Sequence, residues 1–326
     1  MIRMEAVSKQ FPVRGLFRRA AVRAVQEVTL AVAPGEAVGL VGESGSGKST
    51  IGRLMLGLLP PTAGRIVVDG QDLAQAGPAA LRRLRRRMQL VFQDPYSSLD
   101  PRRRVGAQIA DGLAIHGLPR AGRVAALLDQ VGLPAAHAGR FPHEFSGGQR
   151  QRIAIARALA TGPDLLVADE PVSALDVSVQ AQVLTLLADL RTRLRLSLLF
   201  ISHDLPVVRS LCDRVAVLYL GRVMEEGPSD AVFRTPLHPY TQALLSAAPS
   251  LDPPSLDPAR RRTRILLQGE PPSSMAPPSG CVFRTRCPLA IDACAAAVPP
   301  LLPRGAGLQR VACIRVGESG ARLDRF

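Results

Sequence analysis

Short apolar runs bounded by turn residues recur along this chain. There are four such runs: residues 37–41 (AVGLV), 165–168 (LLVA), 198–201 (LLFI) and 215–220. Continuous rather than alternating apolar positions are typical of strands that are buried on both faces of a sheet. The runs therefore predict a buried sheet.

Helical patterns separate these predicted strands. The sequence predicts helices over 49–59 and 177–196, a mostly helical region over 99–161, and further strands over 2–7, 22–32 and 89–92. Strands that alternate with helices predict an α/β fold with a mainly parallel core.

The composition changes after about residue 233. Proline-rich segments over 249–258 and 271–278 flank residues 260–267 and lead into a segment that holds four cysteines. Such segments are typical of linkers. We therefore expect a C-terminal extension beyond the α/β core.

Composition favours a globular protein that acts inside the cell. Of the 326 residues, 47% are apolar and 21% are charged. No run approaches the roughly 18 apolar residues that cross a bilayer, and the first residues lack the apolar core of a signal peptide. We expect the chain to stay in the cytosol, with any membrane role exerted through partners.

The net charge of +14 comes almost entirely from arginine. Such an excess raises the possibility of binding to nucleic acid or to anionic lipid. The arginine runs over 82–87 and 102–104 contain no aromatic residue on which a base can stack. A solvated arginine-rich surface is the first interpretation of this charge, and a surface near a membrane fits the runs at least as well as nucleic acid does. No nucleic acid partner is expected.

A glycine-rich segment follows the first predicted buried strand and precedes a predicted helix. Residues 42–49 (GESGSGKS) match the pattern G-x-x-x-x-G-K-S, in which backbone N–H groups surround a polyphosphate, the lysine reaches the β- and γ-phosphates and the serine binds Mg²⁺. Lys48 is therefore a catalytic candidate. The nucleotide-binding candidates of this loop are Gly42, Glu43, Ser44, Gly45, Ser46, Gly47, Lys48, Ser49 and Thr50.

Two acids follow the apolar run 165–168. Asp169 is a candidate ligand of Mg²⁺, together with Ser49, and Glu170 is a candidate to polarise an attacking water. Phosphoryl transfer needs both roles, because its catalysis consists mainly of positioning and of electrostatic stabilisation. The phosphate loop and the acids together predict a nucleoside triphosphatase.

A second candidate anion site begins the helix that follows Phe145. An apolar periodic stretch follows Ser146, Gly147, Gly148 and Gln149. A serine with two glycines at a helix N-terminus can bind an anion without a lysine. One ATP can use both phosphate sites only if the two sites belong to two chains that face each other.

The segment Ser146-Gly147-Gly148-Gln149 resembles the signature motif of ABC ATPases. Gln93 resembles the glutamine of the Q-loop, Asp176 lies in a segment that resembles the D-loop, and His203 resembles the switch histidine. The resemblance implies that Gln93 joins the Mg²⁺ site, that His203 is catalytic, and that Asp176 lies at the nucleotide. Phe11, with Phe17 as the alternative, is the candidate aromatic that stacks on adenine.

This resemblance also implies a domain organisation. An ABC-type P-loop core, similar to RecA, would comprise residues 1–98 and 162–232, and a helical signature subdomain would comprise 99–161. Residues 233–326 would then form a small extension that contains the cysteines.

Three segments resemble the dipeptide/oligopeptide permease branch of the family. They are residues 92–102 (FQDPYSSLDPR), 171–180 (PVSALDVSVQ) and 238–245 (HPYTQALL). The likeness extends over nearly the whole chain and is greater to the F-type partner of the two ATPases. Phe145 departs from the leucine that many ABC ATPases have at this position, which is an apolar exchange.

The resemblance implies several partners. They are a second ATPase subunit, two transmembrane permease subunits and, indirectly, an extracytoplasmic peptide-binding protein, so that the chain would lie on the cytoplasmic face of the membrane. Residues 96–99 would touch a permease subunit, and substitution of Tyr96 would uncouple transport while sparing basal hydrolysis. The carried peptide, and whether the chain pairs with itself or with a paralogue, stay open.

Four of the five cysteines have the spacing C-x5-C-x6-C-x18-C. These four cysteines could bind Zn²⁺ or a [4Fe–4S] cluster, or they could be thiols without a ligand. They are Cys281, Cys287, Cys294 and Cys313, whereas Cys212 lies alone in an apolar stretch. The segment around Cys281 and Cys287 resembles the C-terminal extension of peptide-permease ATPases. That resemblance implies an iron–sulfur cluster with a structural or regulatory role.

Two other functions compete with peptide import. An ABC ATPase that imports another small solute would carry the same motifs. An ABC ATPase that acts on nucleic acid is the second alternative, but such proteins usually have two cassettes or long coiled-coil inserts, and this sequence shows neither.

Overall fold

Two β-sheets and ten α-helices make up the described part of the computed structural model, which covers residues 2–14, 19–94, 98–248, 265–304 and 308–317. The strands are β1 (Ile2–Arg14), β2 (Arg19–Val32), β3 (Ala37–Val41), β4 (Ala63–Val68), β5 (Gln71–Asp72), β6 (Met88–Val91), β7 (Leu165–Asp169), β8 (Ser197–Ile201), β9 (Arg214–Tyr219), β10 (Arg222–Pro228), β11 (Leu302–Arg304) and β12 (Gln309–Val311). The helices are α1 (Lys48–Met55), α2 (Pro78–Arg87), α3 (Val105–Ile115), α4 (Arg123–Gln130), α5 (Gly147–Leu159), α6 (Val177–Leu194), α7 (Leu205–Leu211), α8 (Ser229–Arg234), α9 (Pro239–Ala247) and α10 (Ala293–Ala296).

The larger sheet has the strand order β11-β12-β10-β9-β3-β8-β7-β6. Its strands from β9 to β6 are parallel, and every residue of β3, β7 and β8 is buried. These strands are the apolar runs of the sequence, and the predicted parallel α/β core is confirmed.

A second sheet, with the order β2-β1-β4-β5, is antiparallel. The sequence predicted only parts of β1 and β2, and it missed β4 and β5. The first three residues of β4 are exposed, and Glu5 of β1 lies opposite Arg65 of β4. Polar outward positions of this kind interrupt the apolar pattern, which explains why β4 was missed.

Helices α3, α4 and α5 lie between β6 and β7 in the chain, where a mostly helical region was predicted. The predicted helix over 177–196 is α6, and its C-terminal cap Arg195 is left-handed, with φ of 52°. The predicted helix over 49–59 ends earlier, at Met55. Gly57, with φ of 62°, takes the left-handed conformation that commonly follows a helix end.

Residues after 233 pack on the larger sheet. Strand β12 pairs with β10, so that Glu225 lies opposite Val311. The rings of Tyr240 and Phe283 lie 4.7 and 5.3 Å from that of Tyr219, at the end of β9. All three rings are almost completely buried. The C-terminal residues therefore share a hydrophobic core with the parallel strands.

Replacing His238 with Asn is expected to reduce the loss of stability in mild acid. Burial lowers the pKa of His238 from 6.5 to about 3, so the unfolded chain gains a proton in this range before the folded chain does. The stabilisation that comes from the neutral ring of His238 is complete above pH 6.5. As the pH falls from 6.5 towards 3, the free energy of unfolding decreases by up to about 1.4 kcal/mol per pH unit. Asn keeps an acceptor for the backbone N–H of Tyr240, which donates to His238 Nδ1.

Urea unfolding of both proteins between pH 7 and pH 5 measures this effect. His143→Asn is the control, because it makes the same exchange of side chains at an exposed position. An unaltered pH dependence in the His238 variant would contradict the assignment of the buried neutral ring.

Candidate functional site

The phosphate loop, residues 42–49, connects the end of β3 to the start of α1. Gly42 has φ of 150°, and a Cβ atom there would lie 2.1 Å from the carbonyl oxygen of Leu218. Gly47 has φ of 103°, and a Cβ atom there would lie 2.2 Å from the carbonyl oxygen of Ala24. Both glycines are therefore required by the close approach of neighbouring backbone.

Lys48 is held inside this loop. Its Nζ donates hydrogen bonds to the carbonyl oxygens of Gly42 at 2.8 Å and Glu43 at 2.9 Å. Burial lowers the pKa of Lys48, while Glu170, Asp169 and Glu43 raise it. The three carboxylates therefore stabilise the charged form of the ammonium group. A polyphosphate that enters the loop can replace the two carbonyl oxygens as the hydrogen-bond acceptor of this group.

Ser49 and Asp169 form a pair of oxygen donors at the start of α1 and the end of β7. The hydroxyl of Ser49 donates to Oδ1 of Asp169 at 2.9 Å. Burial raises the pKa of Asp169, and the hydrogen bond from Ser49 opposes this rise. A hydroxyl and a carboxylate in contact are the hard oxygen ligands that Mg²⁺ prefers.

Glu170 receives contacts from both neighbouring strand ends. Gln93 Nε2 donates to Oε2 of Glu170 at 3.0 Å, and Nδ1 of His203 lies 3.5 Å from Oε1. Glu170 has φ of 46°, and its N–H donates to the carbonyl oxygen of Ile201 at 2.9 Å. A non-glycine residue in this conformation is strained, and such strain often occurs at functional sites.

Apart from Asp169, which contacts Ser49, these side chains line one cavity of about 640 Å³. It is lined by Val22, Ala24, Ser44, Gly45, Gly47, Lys48, Ser49, Thr50, Gln93, Glu170, His203 and Ser274. The sequence did not indicate Val22, Ala24 or Ser274 as site residues. Ser274 lies in a segment that was predicted as a proline-rich linker, where no periodic pattern relates it to the loop. Its carbonyl oxygen accepts a hydrogen bond from the N–H of Arg23 at 3.0 Å.

Phe11 lies beside this cavity. It is paired with Val22 across β1 and β2, and residues directly opposite each other project from the same face of a sheet. The Nζ of Lys9 is 5.3 Å from the centre of the Phe11 ring. Phe17 and Tyr96, for which the sequence suggested roles, lie outside the described residues.

The second predicted anion site lies elsewhere. Ser146 caps α5, since its hydroxyl accepts from the N–H of Gln149 and its N–H donates to Oε1 of the same residue. Gly147 and Gly148 form the first turn of this helix, and Asp176 is the N-terminal cap of α6. None of these residues lines the cavity around Lys48.

The four C-terminal cysteines are free thiols, with Cys281 and Cys294 buried and Cys287 and Cys313 partly exposed. Burial raises the pKa of Cys281, that of Cys287 to about 12 and that of Cys313 to about 11. Within the described ranges, no three His, Cys, Asp or Glu side chains are arranged to hold a metal ion. The side-chain positions therefore give no support to the predicted [4Fe–4S] cluster.

Comparison with known proteins identifies the family. Residues 25–173 match the ABC transporter family, and residues 224–294 match the family "Oligopeptide/dipeptide transporter, C-terminal region". A putative peptide import ATP-binding protein of Brucella ovis is 56% identical over 302 residues, which cover 91% of this chain and 93% of the relative. A probable peptide ABC transporter ATP-binding protein of Sinorhizobium fredii is 50% identical over 332 residues, which cover 99% and 92%.

Solved structures show the same fold. The ATP-binding cassette MJ0796, described as a dimer in a post-hydrolysis state with ADP and Pi, is 30% identical, with a TM-score of 0.63 over 70% of this chain and 99% of that one. CbiO1 of Clostridium perfringens, part of an ABC transporter complex, is 28% identical, with a TM-score of 0.63 over 72% of this chain and 90% of that one. This chain is therefore an ATP-binding protein of the ABC transporter family, in the branch with the oligopeptide/dipeptide transporter C-terminal region.

Proposed function

We propose that this chain hydrolyses ATP to drive peptide import through an ABC transporter. The observation that carries the proposal is the convergence of Lys48, Ser49 and the Gln93–Glu170–His203 group around one cavity, with Asp169 in contact with Ser49. Relatives that match this chain along nearly its whole length are named as a peptide import protein and as a peptide ABC transporter protein, and these names support the choice of transported substrate.

Each group at the cavity has a role in this proposal. The N–H groups of the loop and the ammonium of Lys48 bind the β- and γ-phosphates. Ser49, Asp169 and Gln93 would hold Mg²⁺, which neutralises charge on the phosphates when bound. Glu170 accepts a proton from the attacking water, and His203 orients Glu170 through the contact between their side chains.

A second ATPase chain completes the site. The predicted anion site at the N-terminus of α5 does not line the Lys48 cavity of the same chain. In a face-to-face dimer, the nucleotide held by Lys48 of one chain would be contacted by residues of the other chain. These residues are Ser146, Gly147, Gly148, Gln149 and Asp176. Each ATP would then lie between two chains.

Replacing Ser146 with Arg is expected to lower ATP hydrolysis by about 100-fold, because the γ-phosphate loses donors that act in the transition state. Binding of ATP to the separate chain is expected to stay unchanged, since Ser146 does not line the cavity that contains Lys48. Phosphate release, together with light scattering for the ATP-dependent dimer, measures both effects.

Thr192→Arg is the matched control for this substitution, because it adds the same charge at an exposed position of α6. The control should retain the wild-type rate. If Ser146→Arg also retained that rate, the proposed two-chain site would be wrong.

Membrane coupling requires further subunits. None of the described helices is long and apolar enough to span a bilayer. We propose that two permease subunits receive the motion of the ATPase pair at the cytoplasmic face, and that an extracytoplasmic binding protein delivers di- or oligopeptides. The segment that contains Tyr96 and follows Gln93 would contact a permease subunit.

Peptide uptake by cells tests this function. A strain that lacks the chain should lose uptake of labelled peptides of two to six residues and regain it with the wild-type gene. Loss of uptake of another small solute, with peptide uptake intact, would instead favour the alternative importer.

We also propose that the four C-terminal thiols hold an iron–sulfur cluster. Cys281, Cys294 and Cys313 interact electrostatically with Cys287, so the four thiols lie in one region of the C-terminal extension, although their side chains do not form a coordination sphere. Four thiols are a suitable donor set for the cluster or for zinc. Iron, zinc and sulfide assays on anaerobically purified chain decide the matter: iron with acid-labile sulfide supports the cluster, and protein without iron rules it out.

A further inference from the structure

The C-terminal residues contact the phosphate loop at Glu43. One terminal nitrogen of Arg286 lies 2.8 Å from Oε2 and 3.1 Å from Oε1 of Glu43. The side chain of Arg286 is only 9% exposed, and that of Glu43 is 25% exposed. Because both groups are largely shielded from water, this ion pair is much less screened than one on the surface.

The backbone of Glu43 is held by the same part of the chain. Its N–H donates to the hydroxyl of Tyr240 at 3.0 Å, and Tyr240 is completely buried. The ring of Tyr240 packs against those of Tyr219 and Phe283. Arg286 lies on this aromatic group, and its guanidinium is 6.0 Å from the centre of the Tyr219 ring. Residues after 233 therefore hold Glu43 at both its side chain and its backbone.

The charge of Glu43 bears directly on the phosphate site. Glu43 is the second residue of the loop, and its carboxylate interacts electrostatically with Lys48. Without Arg286, this carboxylate would compete with a polyphosphate for the lysine and would repel the phosphates. The repulsion would increase with the number of charges on the nucleotide.

We infer that Arg286 is a positioning residue for nucleotide binding, which neutralises Glu43 and so keeps Lys48 and the loop N–H groups available to the triphosphate. The inference rests on the proposed function, because it takes ATP as the ligand of the loop. The C-terminal extension is, on this account, a functional part of the nucleotide site.

Binding of ATP, ADP and AMP to the full chain tests the inference. Arg286→Gln is expected to weaken ATP binding about tenfold, ADP binding less and AMP binding least, because a charge-assisted pair is lost beside a multiply charged ligand. In hydrolysis, the same variant should show a raised KM for ATP with kcat within about threefold of wild type.

The double variant Glu43→Gln/Arg286→Gln separates charge from packing. It should bind ATP within about threefold of wild type, because the uncompensated carboxylate is gone. Arg284→Gln is the matched control, since Arg284 lies two residues earlier and donates to Ser279 rather than to the loop. This control should bind ATP as the wild type does.

Wild-type affinity in Arg286→Gln, or an equal loss in the double variant, would overturn the inference. Should Arg286→Gln fail to fold, Arg286→Lys keeps the charge and is expected to bind ATP within about threefold of wild type, and a tenfold loss would then overturn the inference. Failure of the wild-type chain to bind ATP would instead overturn the proposed function.

Discussion

Replacing Glu170 with Gln is expected to lower the turnover of ATP by about 10³-fold, with the dissociation constant of Mg-ATP within about threefold of wild type. The amide keeps the shape of the side chain and a possible contact with Gln93, but it cannot take a proton from water. Glu170 is held by Gln93 and His203 and is 18% exposed on its side chain. The loss should therefore appear in kcat and not in binding.

Phosphate release under saturating Mg-ATP, with equilibrium binding measured separately, gives both quantities. Asp189→Asn is the control, because it also converts an acid to its amide, at an exposed site of α6 where Asp189 pairs with Arg193. Turnover in Glu170→Gln close to that of the control would show that another group activates the water.

Replacing Lys48 with Ala is expected to weaken Mg-ATP binding by at least about 100-fold. Lys48 is almost completely buried, and its ammonium contacts the carbonyl oxygens of Gly42 and Glu43 in the loop. Its removal takes away the only lysine of the loop and leaves Glu43, Asp169 and Glu170 close to the phosphates. Binding and hydrolysis should therefore be lost together.

Isothermal titration with Mg-ATP measures this affinity, and a urea midpoint near that of wild type establishes that the variant is folded. Arg83→Ala is the control, since it removes one positive charge at an exposed position of α2. Retention of tight ATP binding by Lys48→Ala would mean that the loop N–H groups suffice for the triphosphate.

Local patterns were enough to predict the buried strands and the phosphate loop. The runs 37–41, 165–168 and 198–201 lie in β3, β7 and β8 and contain only apolar residues, as expected for strands that are buried on both faces of a sheet. Gln93, Glu170 and His203 follow three strands that are neighbours in the order β8-β7-β6. Parallel strands end at one edge of a sheet, so these residues meet once that order is known. The order itself came from the structure, because no single strand specifies its neighbours.

The contribution of the C-terminal residues could not be predicted. Arg286 and Glu43 are 243 residues apart in the chain, and Ser274 lies in a proline-rich segment without a hydrophobic period. Contacts of this kind depend on how the aromatic group of Tyr219, Tyr240 and Phe283 packs, which is a tertiary property.

Phosphate release from reconstituted transporters measures whether peptide stimulates the hydrolysis of ATP by this chain. Proteoliposomes would hold this chain with its partner ATPase and permease subunits, and the binding protein would be added with or without peptide. We expect peptide to accelerate phosphate release, and we expect chains with Glu170→Gln to release almost none. Release at the same rate with and without peptide would show that this chain does not drive peptide import.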